Sequence, residues 1–209
     1  MNMHKRVTLI LAGGQSRRMG TSKTFLPRRD QLMIEHLVFI SQKVSEHTII
    51  ISHKNDVLKL NKLFIQNKNI SVLQDEQQFK GFGPLAGIYS GMKHIKAEWY
   101  FVLANDMPNI NISFLKGLQQ CTLTHSESDI IIPIDNGRMH PLAGVYRNQK
   151  NEIYEYLKEG NKKMTTFIDS RSTYKILEQE WGEWTNQGNI FFNMNTPADL
   201  TAWEKNMDR

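Results

Sequence analysis

Only one cysteine, Cys121, occurs in 209 residues. A single thiol can form neither an internal disulfide nor a cysteine-based zinc site, which points to a reducing, cytoplasmic setting or to indifference to redox conditions. Long hydrophobic runs are also lacking. No apolar stretch approaches the roughly 18 residues that span a bilayer, so no membrane embedding is expected. The chain starts with basic His4-Lys5-Arg6 followed by the apolar Val7 to Ala12. That run is too short for a signal-peptide core, and Arg17-Arg18 follow it closely, so it reads as a buried first strand. No internal repeat and no low-complexity linker is visible, and residues 1–209 read as a single domain of ordinary length. What is present suffices for a packed core: 40% of the residues are hydrophobic, which excludes wholesale disorder and a collagen-like chain.

The formal net charge is +5, from 26 Lys plus Arg against 21 Asp plus Glu. Seven of those bases (Lys5, Arg6, Arg17, Arg18, Lys23, Arg28 and Arg29) lie in the first 30 residues against Asp30 alone, leaving 19 bases and 20 acids in the rest. The basicity is therefore local. A nucleic-acid binder calls for a basic stripe interleaved with aromatics, and this distribution does not supply one.

Short β-rich runs alternate with helical patterns. Val7–Leu11, Thr48–Ile51, Ile70–Leu73, Trp99–Leu103 and Ile130–Ile132 read as strands, the continuous apolar ones as strands buried on both faces. Ile34–Val44, Val57–Phe64, Leu85–Ile95 and Ile112–Leu118 read as helices, the third opened by Pro84, a favoured first-turn residue. Such alternation predicts an α/β fold with a doubly wound, mostly parallel sheet and helices on both faces. Asn136-Gly137 is a hairpin signal and predicts a small antiparallel addition.

The most informative stretch runs from Leu11 to Lys23, Leu-Ala-Gly-Gly-Gln-Ser-Arg-Arg-Met-Gly-Thr-Ser-Lys. It leaves the first strand at its carboxyl end, where α/β folds bind ligands. Glycines let the backbone approach a phosphate, loop N–H groups face anionic oxygens, and Arg17, Arg18 and Lys23 add charge-assisted donors. It is not a Walker A loop, because Thr21 and Ser22 separate Gly20 from Lys23, and it is not a G-x-G-x-x-G dinucleotide fingerprint. A glycine turn flanked by solvated arginines is the plainer reading of the same residues. Asp106 follows the strand Trp99–Leu103, with Pro108 keeping the chain out of a helix immediately afterwards. A carboxylate there suits Mg²⁺, which takes one or two carboxylates and fills its octahedron with water and phosphate oxygens. An aspartate that caps a turn has the same appearance.

These residues together resemble the molybdenum cofactor guanylyltransferases, a branch of the nucleotidyltransferases with a Rossmann-like fold. The resemblance rests on the Leu11–Lys23 signature and on Gly83-Pro84-Leu85-Ala86-Gly87-Ile88, Asn105-Asp106-Met107-Pro108, His140-Pro141-Leu142 and Asn193-Met194-Asn195-Thr196-Pro197, in the family's order. It implies GTP and Mo-molybdopterin as substrates, Mg²⁺ as the metal on Asp106, and molybdoenzymes or cofactor-inserting proteins as partners. It implies catalytic roles for Lys23, Arg17, Arg18 and Asp106. Nucleotide contacts are implied at Leu11, Ala12, Gly13, Gly14, Lys23, Ser52, Asp75, Gly81 and Asp106, and acceptor contacts at His140, Asn193 and Asn195. Two positions depart from the family pattern: Ser52 stands where an asparagine is common, with Asn55 three residues later as the other candidate for that contact, and Ser22 where an aspartate often precedes the lysine. Relatives that use CTP carry Leu-Ala-Ala-Gly, so Gly13 and the Gly81–Gly87 loop point to the larger purine.

Nucleotidyl transfer needs positioning and charge neutralisation more than a protein nucleophile. That agrees with the lack of any His–Asp or Cys–His signature near the loop. A CTP-dependent or sugar-phosphate nucleotidyltransferase and a non-catalytic cofactor-delivery adaptor remain the alternatives. Asn195-Thr196-Pro197 also suits the start of a helix over Ala198–Trp203, and Trp181 and Trp184 read as a packing patch.

Overall fold

The computed structural model describes residues 3–13, 23–28, 30–74, 76–185 and 189–207. The elements run β1 (His4–Ala12), β2 (Pro27–Arg28), β3 (Gln31–Leu32), α1 (Met33–Ser41), β4 (His47–Ser52), α2 (Lys54–Leu63), β5 (Ile70–Leu73), α3 (Pro84–His94) and β6 (Ala97–Ala104). They continue with α4 (Ile112–Thr124), β7 (Ile130–Asp135), β8 (Arg138–Met139), β9 (Ala143–Arg147), α5 (Lys150–Lys158), α6 (Met164–Asp169), β10 (Thr173–Ile176), α7 (Glu178–Trp181) and α8 (Pro197–Met207).

The main sheet has the order β10-β7-β9-β6-β1-β4-β5, with β8 paired to β7, while β2 and β3 form a separate ribbon. β1 lies parallel to both β4 and β6, and β4 is parallel to β5. The strand order therefore reverses at β1, which opens a crevice at the carboxyl ends of β1 and β6. β9 is antiparallel to β6 and β7, and β7 is parallel to β10.

Alternation along the strands divides the core into two layers. On one face Ile10, Ile50, Trp99, Phe101 and Leu103 pack with α1, α4 and Trp203 of α8. On the other Leu9, Ile49, Ile51, Tyr100 and Val102 pack with α3, α5 and α6. Helices thus cover both faces, as the alternating pattern predicts. The hairpin at Asn136-Gly137 is also present, with positive φ at both residues (48° and 72°), as a primed two-residue turn requires.

Two helices end elsewhere than their periodicity suggests. α1 stops at Ser41 rather than Val44, because the chain tightens there into i→i+3 bonds from Lys43 N–H to the Ile40 carbonyl and from Val44 N–H to that of Ser41. α4 continues past Leu118 to Thr124, carrying its buried stripe through Cys121 and Thr122. The larger difference is β9, inserted antiparallel between β6 and β7 where the sequence marks only a hairpin.

Candidate active site

β1 delivers Leu11, Ala12 and Gly13 to the crevice. Leu11 lies opposite Ala104 of β6, and Ala12 opposite Ser52 of β4. The Leu11 carbonyl accepts from Asn105 N–H at 3.3 Å, so pairing of the two central strands extends one residue beyond β6. Asn105 is buried, and its side-chain Nδ2 donates to Thr24 Oγ1, also buried, at 3.0 Å. This bond fixes the short 3₁₀ turn Lys23–Phe25 against the end of β6. Burying two polar groups is tolerable because each satisfies the other.

Held in that way, Lys23 Nζ lies 3.3 Å from Asp106 Oδ2 and 2.7 Å from Asn195 Oδ1. The Lys23 and Asp106 side chains are only 15% and 23% exposed, so the charge pair sits in a cleft rather than on open surface. Three segments thus meet in one polar constellation: the end of the glycine-rich loop, the end of β6 and the C-terminal region. Backbone pairing reinforces it, since Met194 N–H donates to the Asp106 carbonyl at 2.8 Å.

The helix start expected at Asn195-Thr196-Pro197 is present, with Pro197 the first residue of α8. The cap of α8 is Thr196, whose Oγ1 accepts from Asp199 N–H, while Asp199 Oδ2 accepts from the Asn195 and Thr196 N–H groups at 2.8 and 2.7 Å. This reciprocal cap leaves the Asn195 amide for Lys23. The two backbone bonds hold the Asp199 carboxyl below its usual range, with Lys23 adding to the effect.

The other sequence-derived candidates divide into groups. Gly14, Arg17, Arg18 and Asp75 lie outside the described residues. Ser52 is buried beside Ala12, and its hydroxyl donates to the His53 carbonyl at 3.3 Å. Gly81 and Gly83 stand on the loop before α3 with φ of +85° and +77°, a backbone region that only glycine enters freely. Phe79 anchors that loop, buried edge-on to Tyr89 and Tyr154. His140 and Asn193 share Phe191: the His140 ring stacks on the phenyl ring at 4.0 Å, and Asn193 Nδ2 donates to the Phe191 carbonyl. Burial lowers the His140 pKa despite Asp135, whose Oδ2 lies 3.9 Å from Nε2. Trp181 is buried edge-on to Phe191 and donates to the Ile134 carbonyl, and Trp184 packs near Phe114, so both are packing residues.

Sequence reasoning passed over Asn105 and Thr24 as site residues. The available signal was a polar residue directly after a wholly apolar strand, adjacent to the aspartate. It also left several early bases without a role. Arg6 Nε donates to the Val44 carbonyl at 2.8 Å, and Arg28 Nε donates to that of Pro108 at 3.2 Å.

Among the described residues no three His, Cys, Asp or Glu side chains group to hold a metal, and no helix is long and apolar enough to cross a membrane. Among the described residues no closed protein cage of the structural-zinc kind is built. One half-sheltered carboxylate beside a lysine fits instead a hard cation that borrows most of its ligands from water and phosphate.

The profile of the MobA-like NTP transferase domain matches residues 8–174, a span that includes Lys23 and Asp106. The chain belongs to the MobA-like NTP transferase family. Within it, the chain is 31% identical over 208 residues to the probable molybdenum cofactor guanylyltransferase of Bacillus mycoides, covering 98% of each. It is 36% identical over 192 residues to the probable molybdenum cofactor guanylyltransferase of Bacillus cytotoxicus, covering 91% of this chain and 92% of that one. Among solved structures, molybdopterin-guanine dinucleotide biosynthesis protein A from Archaeoglobus fulgidus shares the fold of this MobA-like transferase. Its TM-score is 0.78 over 97% of this chain and 98% of that one, at 23% identity.

Proposed function

We propose that this nucleotidyltransferase moves GMP from GTP to the terminal phosphate of Mo-molybdopterin, releasing pyrophosphate and forming the guanine dinucleotide cofactor. The convergence of Lys23, Asp106 and Asn195 at the switch point of the sheet carries the reading. A phosphate oxygen of the acceptor attacks the α-phosphorus of GTP. The new P–O bond forms as the bond to the β-phosphate oxygen breaks, and the electron pair leaves with pyrophosphate. The attacking oxygen is already deprotonated near neutral pH, so no general base is needed. Lys23 and the backbone N–H groups of Ala12 and Gly13 at the end of β1 neutralise and orient phosphate oxygens. Asp106 would hold Mg²⁺, which supplies further charge neutralisation at the phosphates when bound. Asn193 and Asn195 face the acceptor side, where an amide can both donate to and accept from a heterocycle edge.

The test compares binding of GTP, CTP and ATP with Mg²⁺, then transfer activity in the parent and in Asp106→Asn. The expected result is GTP preferred, and transfer reduced at least about a thousandfold in an unaltered fold. Equal affinity for the three nucleotides rules out the guanylyl assignment, and a fully active Asp106→Asn protein rules out the metal assignment.

A further inference from the structure

The C-terminal segment that carries Asn193 and Asn195 is not part of the sheet, yet Asn195 must reach Lys23. One side chain holds both ends of the segment. Asn109 follows Pro108 on the loop after β6. Its Oδ1 accepts from Trp203 Nε1 of α8 at 2.8 Å, and its Nδ2 donates to the Asn189 carbonyl, also at 2.8 Å. The donor and the acceptor of a single amide are both used, on residues fourteen positions apart. Between these two anchors lie Asn193, Met194 and Asn195, with Met194 N–H on the Asp106 carbonyl. On the same loop the Pro108 carbonyl accepts from Arg28, whose guanidinium lies 5.9 Å from the centre of the Trp203 ring. Trp203 is itself buried, so α8 is held by packing as well as by the clasp.

We infer that Asn109 is a positioning residue that sets the acceptor side of the site by clasping residues 189–203 onto the loop bearing Asp106. It touches neither nucleotide nor acceptor. It acts through the placement of Asn193 and Asn195, and so rests on the acceptor role proposed for them. The Thr196–Asp199 cap of α8 makes no bond to it, and its two bonds add to the hold that the buried Ile190, Phe191 and Met194 already have on the path of 189–195. An amide is required because a carboxylate keeps the acceptor for Trp203 and loses the donor for Asn189, while an alkyl side chain loses both.

The test uses the full-length chain as parent, Asn109→Ala and Asn109→Asp, with two readouts. Hydrogen exchange should speed at least about tenfold in the 189–195 amides of Asn109→Ala, with β1 and β6 unchanged. In steady-state transfer, KM for Mo-molybdopterin should rise about five- to tenfold with KM for GTP within twofold, Asn109→Asp falling between parent and alanine variant. Unchanged exchange in 189–195 overturns the clasp, whether or not the parent transfers GMP. Faster exchange with equal shifts in both KM values reduces Asn109 to a stability residue and also overturns it. A parent that transfers no GMP to Mo-molybdopterin refutes the proposed function, and the exchange result still decides the clasp.

Discussion

The two ends of the same three strands, β1, β4 and β6, are built on different plans. At the amino ends polar groups are paired with residues on the turn that leads into β4 and with β5. His4 Nδ1 and Lys5 N–H both meet Glu46 Oε2, Arg6 reaches the Val44 carbonyl, Thr8 meets Ser45, and His47 meets Ser71. These contacts close adjacent strands onto one another. At the carboxyl ends the partners come from remote parts of the chain: Lys23 bonds to Asp106 and Asn195, 83 and 172 positions away. A lysine and an aspartate enclosed together, each still partly open to the cleft, cost desolvation and stabilise the fold little. Their arrangement makes sense as a site prepared for an anion and a cation rather than as a brace. On the proposed function, the amino ends hold the sheet together and the carboxyl ends serve the chemistry.

Removing charge from the carboxyl end should therefore reduce activity much more than stability. Lys23→Met keeps the length of the side chain and discards the ammonium. Transfer, followed as pyrophosphate release, is expected to fall about 10²- to 10³-fold, the usual cost of losing one donor aimed at developing charge. The thermal midpoint should move by no more than a few degrees. A loss of less than about tenfold would erase the distinction between the two ends.

Acid should weaken the carboxyl end through His36. This histidine on α1 is buried, and its Nε2–H donates to the Ile110 carbonyl on the loop beyond Asp106 at 3.0 Å. Burial lowers its pKa from 6.5 to about 4, with the Arg28 charge pressing the same way against the backbone bond. A histidine depressed in the folded state favours the neutral form there. Its contribution is thus fully present above pH 6.5 and is lost as the pH falls toward 4. At pH 5 the loss is about 2 kcal/mol. Chemical denaturation at pH 7.5 and 5.0 should show that loss in the parent and a clearly smaller one in His36→Gln, which retains a donor for Ile110. Equal acid losses in both proteins would remove His36 as the cause.

The legibility of the chain follows the same division. The strands β1, β4 and β6 could be read because burial on both faces leaves mostly apolar runs, and the β7–β8 turn because Asn-Gly is one of the few pairs that tolerate two positive φ values cheaply. β9 could not. Ala143–Arg147 is short, and its antiparallel place between β6 and β7 depends on partners that no local pattern names. In the site, Asp106 stood out as a charged residue just beyond an apolar strand, and Lys23 as the base that closes a glycine-rich loop. The Lys23–Asn195 contact did not, since Asn195 next to Thr196-Pro197 looks like a helix cap until Thr196 is seen to fill that role. Asn105, Asn109 and Trp203 went unread for a related reason: their functions lie in bonds to segments far away in sequence.

The smallest effect is expected from the most visible polar contact of the amino end. Glu46 accepts from His4 at 3.2 Å and from Lys5 N–H at 3.0 Å, with the His4 and Glu46 side chains 38% and 44% exposed. Water competes for both donors, and holding the side chains in register costs rotamer freedom, so exposed pairs of this kind contribute roughly 0–1 kcal/mol. In Glu46→Ala the backbone bond from Glu46 N–H to the Arg6 carbonyl remains, as does the Arg6 side-chain bond to Val44. The freed Lys5 N–H can turn to solvent. Denaturation midpoints should therefore shift by less than about 0.5 kcal/mol and transfer should be unchanged. A loss of transfer in Glu46→Ala would mean that the amino end is coupled to the site through β1, and the division of labour between the two ends would have to be withdrawn.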